Sequence, residues 1–131
     1  MEVSQESLRL AEVFDEGVFT ENCPTREALT RVTSKWAPLL LAALSDGRPL
    51  RWSELRRKAS GITEKMLAQT LRTLEDDGFV HRDARPVVPP HVEYSLTADG
   101  QRLAELVLAL MSFVADRTEA GASAEKRRRG R

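Results

Sequence analysis

The segment from residue 60 to residue 100 constrains the fold most, because it contains a helix whose start and end are both marked in the sequence. Thr63 is a favoured N-cap residue. Ile62 before it and Leu67 after it have the spacing of a hydrophobic staple, in which two apolar side chains pack across the start of a helix. The sequence therefore predicts that a helix begins at residue 64.

The end of this helix is equally well marked. Gly78 suits the left-handed backbone position that follows many helices, because it has no Cβ. Phe79 beyond it can pack on Leu74, which is the contact of a Schellman cap. The predicted helix spans residues 64–77, and the chain changes direction directly after it.

The two sides of this helix differ in chemistry. Three leucines fall on one narrow stripe at about 100° per residue, namely Leu67, Leu71 and Leu74. Gln69 and Arg72 fall on the opposite side with Lys65, and glutamine and arginine are the side chains that pair with adenine and guanine edges in the major groove. The residues predicted to face DNA here are Thr63, Lys65, Met66, Gln69, Thr70, Arg72 and Thr73. A solvated helix that binds nothing is the alternative.

Acidic residues fix which end of the helix would enter DNA. Glu75, Asp76 and Asp77 crowd its carboxyl end, where they oppose the helix dipole and would repel phosphates. We therefore expect the amino-terminal half of the helix to lie in the groove.

A hairpin follows the helix. Val92, Tyr94 and Leu96 alternate with polar residues, which predicts a half-buried strand, and residues 80–84 can pair with it. The intervening segment ARPVVPPH contains too much proline to continue either strand, so it forms the tip. Three cations lie around this ribbon and are predicted to contact phosphates or a minor groove, namely Arg82, Arg85 and His91. The alternative is that they only keep an edge hairpin soluble.

Three successive blocks of the chain resemble the bacterial HxlR-type winged-helix regulators: CPTREALTRVTSKWAPLLLAAL, RPLRWSELRRKASGITEKMLAQTLRTLEDDGFV and VPPHVEYSLTADG. The resemblance covers the chain from about Cys23 to Arg117. It implies a mainly α fold with a small β-hairpin (α+β), a winged helix-turn-helix with N- and C-terminal dimerisation helices. It also implies a homodimeric transcriptional regulator, usually a repressor, whose recognition helix corresponds to Thr63 through Asp77.

These blocks depart from the family's usual pattern at Thr33 and Ser34, where a glycine pair is common, and at two further positions. Thr70 stands where the family often has arginine, so the operator sequence is expected to differ. His91 also stands where arginine is common, and the charge of the wing is therefore expected to vary with pH.

Charge is balanced over the whole chain, with 20 basic and 20 acidic residues, but it is uneven along its length. Residues 1–22 form an acidic arm with six acidic residues and one arginine, a net charge of −5. Residues 48–91 carry nine basic and six acidic residues, a net charge of +3, so binding to DNA should depend on salt. The winged-helix domain is expected to span residues 23–117, and residues 118–131, which lack apolar content, are expected to form a disordered basic tail.

The remaining segments are predicted to support the recognition helix. A helix is expected from Pro24 to Val32 or Thr33, a second over residues 35–45, and a short strand over residues 50–52. Ser53 is predicted to cap a brief helix that packs against the recognition helix. Arg56 on this helix is a further candidate for a phosphate contact.

A long helix after Thr97, over residues of about 98–117, is predicted to form a subunit interface because its apolar band is too wide for one small domain to bury. The band contains Leu103, Leu106, Val107, Leu110, Met111 and Val114, and the arm adds a weaker stripe with Leu10, Val13 and Phe14. The alternative is a helix that only closes its own core. A two-fold dimer would place two recognition helices on a palindromic operator in double-stranded DNA, about one turn apart.

Cys23 is the only cysteine and stands directly before a predicted helix. The helix dipole and Arg26 would favour its thiolate there. Some HxlR-type relatives sense oxidants or electrophiles through a cysteine near this position, so the resemblance makes Cys23 a redox-sensing candidate and an electrophile or another small molecule a candidate inducer. The alternative is a small buried side chain at a subunit contact.

Motifs for catalysis, metal binding and membrane insertion are absent from the sequence. It has no nucleophile elbow, no glycine-rich phosphate loop, and only one cysteine and two histidines, which are too few for an ordinary closed zinc site. No apolar run is long enough to span a bilayer. We therefore expect a cytoplasmic, nucleoid-associated protein without enzymatic activity, cofactor or metal. A winged helix that binds another protein, without specific DNA binding, is the main rival.

Overall fold

The computed structural model describes residues 23–130, apart from the side chains of residues 120–125, 127 and 128. The chain divides into two units, one ending at Ser34 and the other beginning at Lys35. In the first unit, helix α1 spans Pro24–Val32 with Cys23 as its N-cap, as predicted. The acidic arm, with Leu10, Val13 and Phe14, lies outside the described residues.

The second unit combines four helices with a small antiparallel sheet. Its elements in chain order are α2 (Ala37–Ala43), β1 (Leu50–Arg51), α3 (Trp52–Lys58), α4 (Glu64–Asp76), β2 (Val80–Arg85), β3 (His91–Leu96) and α5 (Ala98–Arg129). The strand order is β1-β3-β2, with Leu50 opposite Tyr94 and Arg82 opposite Tyr94 from the other side. The predicted fold class, a mainly α chain with a β-hairpin, is confirmed.

Two predicted boundaries are wrong in detail. Helix α2 is shorter than residues 35–45, since Trp36 is its N-cap and Leu44 its C-cap. Ser53 does not cap α3, because the helix already begins at Trp52 with Arg51 as its N-cap. The carboxylate of Glu54 accepts a hydrogen bond from the Arg51 backbone N–H at 3.2 Å, which satisfies one of the free donors at this helix start.

Leucines from α2, α3 and α4 form the centre of the core. The largest side chains with no appreciable exposure are Leu40, Leu41, Leu44, Leu55, Leu67 and Leu74. Helix α5 closes this core with Ala104 and Val107, and Gln101 Nε2 donates a hydrogen bond to the Ser45 carbonyl at 2.9 Å near the end of α2. In the turn that follows, the backbone N–H of Arg48 binds the carboxylate of Asp46 and lowers the pKa of this carboxyl. The buried leucines hold α3 and α4 in place, because both helices pack on the same hydrophobic cluster.

Both caps of α4 are present as predicted. Thr63 Oγ1 accepts a hydrogen bond from Met66 N at 3.1 Å. At the carboxyl end Gly78 has φ +83°, and Phe79 N donates to the Leu74 carbonyl at 2.9 Å. Together with the bond from Gly78 N to the Glu75 carbonyl, this completes the Schellman motif.

The end of α4 is joined to the start of α5 through Thr97. Its hydroxyl donates to the Gly78 carbonyl at 2.6 Å and accepts from Gly100 N at 3.0 Å, so it caps α5 as predicted. Gly100 is buried directly against the Phe79 backbone, where an added Cβ would lie 1.9 Å from the carbonyl oxygen. The position tolerates only glycine, because the obstacle is main chain rather than a movable side chain.

The long helix differs from the prediction in two ways. Helix α5 continues to Arg129, whereas residues 118–131 were expected to lack order. Its apolar band also splits: Val107 is buried in its own core with Leu103 and Met111 packed beside it, while Leu106, Leu110 and Val114 remain exposed. Val107, Leu103 and Met111 are therefore core residues of one chain, as the alternative interpretation proposed for the whole helix.

Candidate nucleic-acid interface

Helix α4 presents a polar face to solvent because its leucines anchor the other face. Leu67, Leu71 and Leu74 are buried, and the side chains of Lys65, Gln69 and Arg72 are exposed, as the periodicity predicted. Within residues 23–130 these three side chains form no hydrogen bond or ion pair. Their donors are thus available to an external partner.

The hydroxyls predicted to flank these donors are engaged within the helix. Thr70 is 8% exposed, and its Oγ1 donates to the Met66 carbonyl at 2.7 Å. Thr73 Oγ1 donates to the Gln69 carbonyl at 2.9 Å, and Thr63 Oγ1 is the N-cap acceptor. The inclusion of Thr70 among the DNA contacts is wrong for this conformation, since it lies toward the core, whereas Met66 is exposed on the flank of the helix.

The acidic end of α4 lies where the sequence placed it. Glu75 and Asp76 are exposed and Asp77, the C-cap, is half-buried. A carboxylate-rich end repels a phosphate backbone, whereas the amino-terminal half offers free backbone N–H groups and Lys65. Only the first part of α4 is therefore electrostatically suited to a groove.

The wing cations divide between the two faces of the β2–β3 hairpin. Arg82 shares a face with Val80 and Tyr94 and lies beside α4, where it lines a cleft with Arg72. Arg85 and His91 are paired on the opposite face of the hairpin. Strand alternation produces this division, because neighbouring residues point to opposite faces.

Acidic residues neutralise the outer face of the wing. Arg85 Nε lies 3.6 Å from Asp83 Oδ2, and Arg85 Nη2 lies 3.9 Å from Glu93 Oε2. His91 Nε2 is 2.8 Å from Glu93 Oε1. Both cations thus share carboxylates of their own hairpin. Their contact with phosphates or a minor groove stays a prediction, and the exposed Arg85 pairs can open when a phosphate competes. The i, i+2 spacing of Asp83 with Arg85, and of His91 with Glu93, was the sequence signal for this pairing.

Arg56 on α3 also has an acidic partner. Its Nη1 lies 3.0 Å from Oε1 of Glu64, the first residue of α4. Both side chains are exposed, so the pair contributes little to stability and can open when a phosphate competes. Arg56 therefore remains a candidate for a phosphate contact, next to the amino-terminal end of α4.

Cys23 lies in the first unit and is half-buried. It is the N-cap of α1, but its side chain forms no capping hydrogen bond. The backbone of Cys23 starts the helix, and its carbonyl accepts a hydrogen bond from Glu27 N at 3.1 Å.

Among residues 23–130, no three His, Cys, Asp or Glu side chains come together as metal ligands would. The helices described are also too short or too polar to cross a bilayer.

A recognition helix packed on two supporting helices and followed by a β-hairpin defines the winged helix-turn-helix class. Residues 31–122 match the model of one family within this class, the HxlR-like helix-turn-helix family. The chain belongs to this family, whose members are DNA-binding transcriptional regulators.

Individual relatives agree with this assignment. The HTH-type transcriptional regulator YtfH of Escherichia coli is 54% identical over 106 residues, which are 80% of this chain and 83% of the relative. The solved structure of the transcriptional regulator YtfH from Salmonella typhimurium has a TM-score of 0.75 and 49% identity, and the match covers 83% of this chain and 96% of that one. The redox regulator HypR in its oxidised form has a TM-score of 0.65 and 40% identity, with 72% and 96% covered.

Proposed function

We propose that the protein is a sequence-specific DNA-binding repressor that acts in the cytoplasm as a homodimer, with α4 in the major groove and the β2–β3 hairpin as the wing. The observation that carries this proposal is the outer face of α4, where Lys65, Gln69 and Arg72 are exposed and without partners in the described chain. Glutamine and arginine there match the major-groove edges of adenine and guanine. Repression is proposed from the resemblance to HxlR-type regulators, which are usually repressors.

A mobility-shift assay with fragments of the host genome tests this function. We expect selective retention of a few fragments and a loss of affinity with rising salt, because counterions are released from neutralised phosphates. A rival function, in which the winged helix binds only another protein, predicts no selective retention even at low salt. That result would reject the proposal.

The homodimer is proposed from the part of α5 that the core does not use. Leu106 and Phe113 are 64% and 65% exposed, and Leu110 and Val114 are also exposed on this helix. A contiguous apolar surface of this kind is costly to leave in water. We propose a second copy of the chain as the occupant, because a two-fold axis would then also pair two recognition helices with the two half-sites of a palindromic operator.

Replacing Leu110 with glutamate should convert the dimer to a monomer, because two buried carboxylates would face each other without partners. Analytical ultracentrifugation would measure the change, and operator affinity should fall with it. Val88→Glu is the matched control. It introduces the same charge, but at a residue that is fully exposed at the wing tip. A Leu110→Glu chain that still sediments as a dimer would contradict this interface.

A thiol response through Cys23 is the finer regulatory proposal. Two observations support it. The thiol of Cys23 is half-buried and forms no capping hydrogen bond, and the chain is similar to HypR, which is a redox regulator. Because each chain has one cysteine, oxidation by diamide would join Cys23 of two chains, with two thiols losing two hydrogens to the oxidant.

Diamide should therefore weaken operator binding of the wild-type protein by roughly tenfold or more, an effect of the size expected for coupled sites. The Cys23→Ser variant should bind operator normally and ignore the oxidant, and non-reducing electrophoresis should show a covalent dimer only with Cys23. Release of the serine variant by diamide to the same degree would reject sensing through this residue.

A further inference from the structure

The cleft between α4 and the wing has a chemistry that DNA binding alone does not require. It has a volume of about 420 Å³, within the range of small-molecule sites. The rings of Trp52 and Tyr94 line it together with Ala68, whose small side chain leaves the space open. Two aromatic residues beside a small one can pack against a flat ring, although the charged residues make most of the lining polar.

Two arginines line the same cleft. Arg72 comes from α4 and Arg82 from β2, and neither has an ion pair or side-chain hydrogen bond within residues 23–130. Arginine binds planar carboxylates in a bidentate manner. The cleft therefore offers two unneutralised carboxylate-binding groups next to its rings.

Glu75 also lines this cleft. Its carboxylate repels anions, a ligand carboxylate as well as a DNA phosphate, but it accepts a hydrogen bond from a hydroxyl or amino group. The cleft thus combines a place for a carboxylate, a ring and a hydrogen-bond donor in one molecule.

We propose that this cleft binds a small planar aromatic carboxylate that carries a hydroxyl or amino group, and that the bound molecule releases operator DNA. The release step rests on the proposed function, because Arg72 is assigned there to the DNA. A ligand carboxylate on Arg72 and Arg82 removes two cations from the DNA-facing surface and occupies the side chain that would pair with guanine. Since the coupling is reciprocal, operator DNA weakens ligand binding by the same factor.

Calorimetric titration of the full-length protein without DNA tests the site itself, with 4-hydroxybenzoate as the probe. We expect a Kd of about 1 mM or tighter for this probe. Cyclohexanecarboxylate, which has no aromatic ring, should bind about tenfold more weakly. In wild type, the probe should also displace operator in the mobility-shift assay.

Variants locate the binding. Ala68→Leu fills the cleft and should abolish the titration, which is read on the protein without DNA because Ala68 lies beside Gln69 on the face of α4 that is placed in the groove. Arg82→Gln should weaken the probe about fivefold or more, as expected for a lost charge-assisted pair. His81→Gln is the matched control, since His81 lies on the opposite face of the same strand and should leave probe binding unchanged.

The outcomes separate this site from the proposed function. If wild type retains operator but binds no probe, or if Ala68→Leu binds the probe as wild type does, the cleft assignment is wrong. If inorganic phosphate binds in place of the probe, and its affinity falls in the Arg82→Gln variant, the cleft binds the DNA backbone and the inference is overturned. If the probe binds as expected but no genomic fragment is retained, the cleft stands and the proposed function fails.

Discussion

Replacing Gln69 with alanine is expected to weaken operator binding by about 1 to 3 kcal/mol while random DNA is bound almost as before. Gln69 lies at the centre of the exposed face of α4, and its side-chain amide has no partner in the described chain. A lost bidentate base contact removes discrimination against the wrong base pair. The measurement is a pair of titrations, one with operator and one with scrambled DNA of the same length.

Arg72→Ala should show the same selective loss, since its guanidinium is also unpaired within residues 23–130. Arg48→Ala is the matched control for charge, because Arg48 already pairs with Asp46 at 3.2 Å and lies outside α4 and the wing. Equal losses on operator and random DNA in the Gln69 and Arg72 variants would assign both side chains to the phosphate backbone instead.

Replacing Gly100 with alanine is expected to lower the free energy of unfolding by about 3 kcal/mol, at the upper end of the cost of overpacking. The added Cβ would lie 1.9 Å from the Phe79 carbonyl oxygen and 2.9 Å from the Phe79 carbonyl carbon. Alanine is the better helix former, so helix propensity alone predicts the opposite sign. Urea unfolding followed by circular dichroism would decide between them.

The control for this substitution is Arg102→Ala, an exposed position in the next turn of α5 that should change stability by less than about 0.5 kcal/mol. A Gly100→Ala protein as stable as wild type would mean that the start of α5 can move away from the end of α4. The hydrogen bonds through Thr97 would then not fix this junction.

Features that depend on neighbours in sequence were predicted correctly. The caps of α4 and the division between its leucine stripe and its polar face follow from residues within a few positions of one another, such as Thr63 with Met66. The hairpin itself was also predicted, from alternation in β3 and the proline-rich tip, but its strands extend into the predicted tip as far as Arg85 and His91. In these cases the backbone geometry of a single element determines which way each side chain points.

Features that depend on contacts between distant elements were missed. Thr70 looked like part of the polar face, but it is turned toward the core and bonds its own helix. The band on α5 looked like one interface, yet Val107 is buried and Leu110 exposed, because the width of the packed partner surface cannot be read from one helix. The cleft beside Trp52 likewise needs α3, α4 and both wing strands together.

The availability of charge in the wing also depends on contacts between its two strands. A net charge counted along the sequence does not tell which cations are free, since Arg85 and His91 share the carboxylates of Asp83 and Glu93 while Arg82 on the opposite face has none within the described residues. Charge available to DNA is therefore smaller on the outer face of the wing than its two cations indicate.

Methylation interference on a selected operator tests the central claim most directly, because guanine N7 lies in the major groove and adenine N3 in the minor groove. We predict that N7 methylation blocks binding at two clusters of guanines whose centres lie about one helical turn apart, and that the Arg72→Ala variant loses interference at one guanine in each cluster. Binding that ignores N7 methylation throughout the operator would contradict the placement of α4 in the major groove.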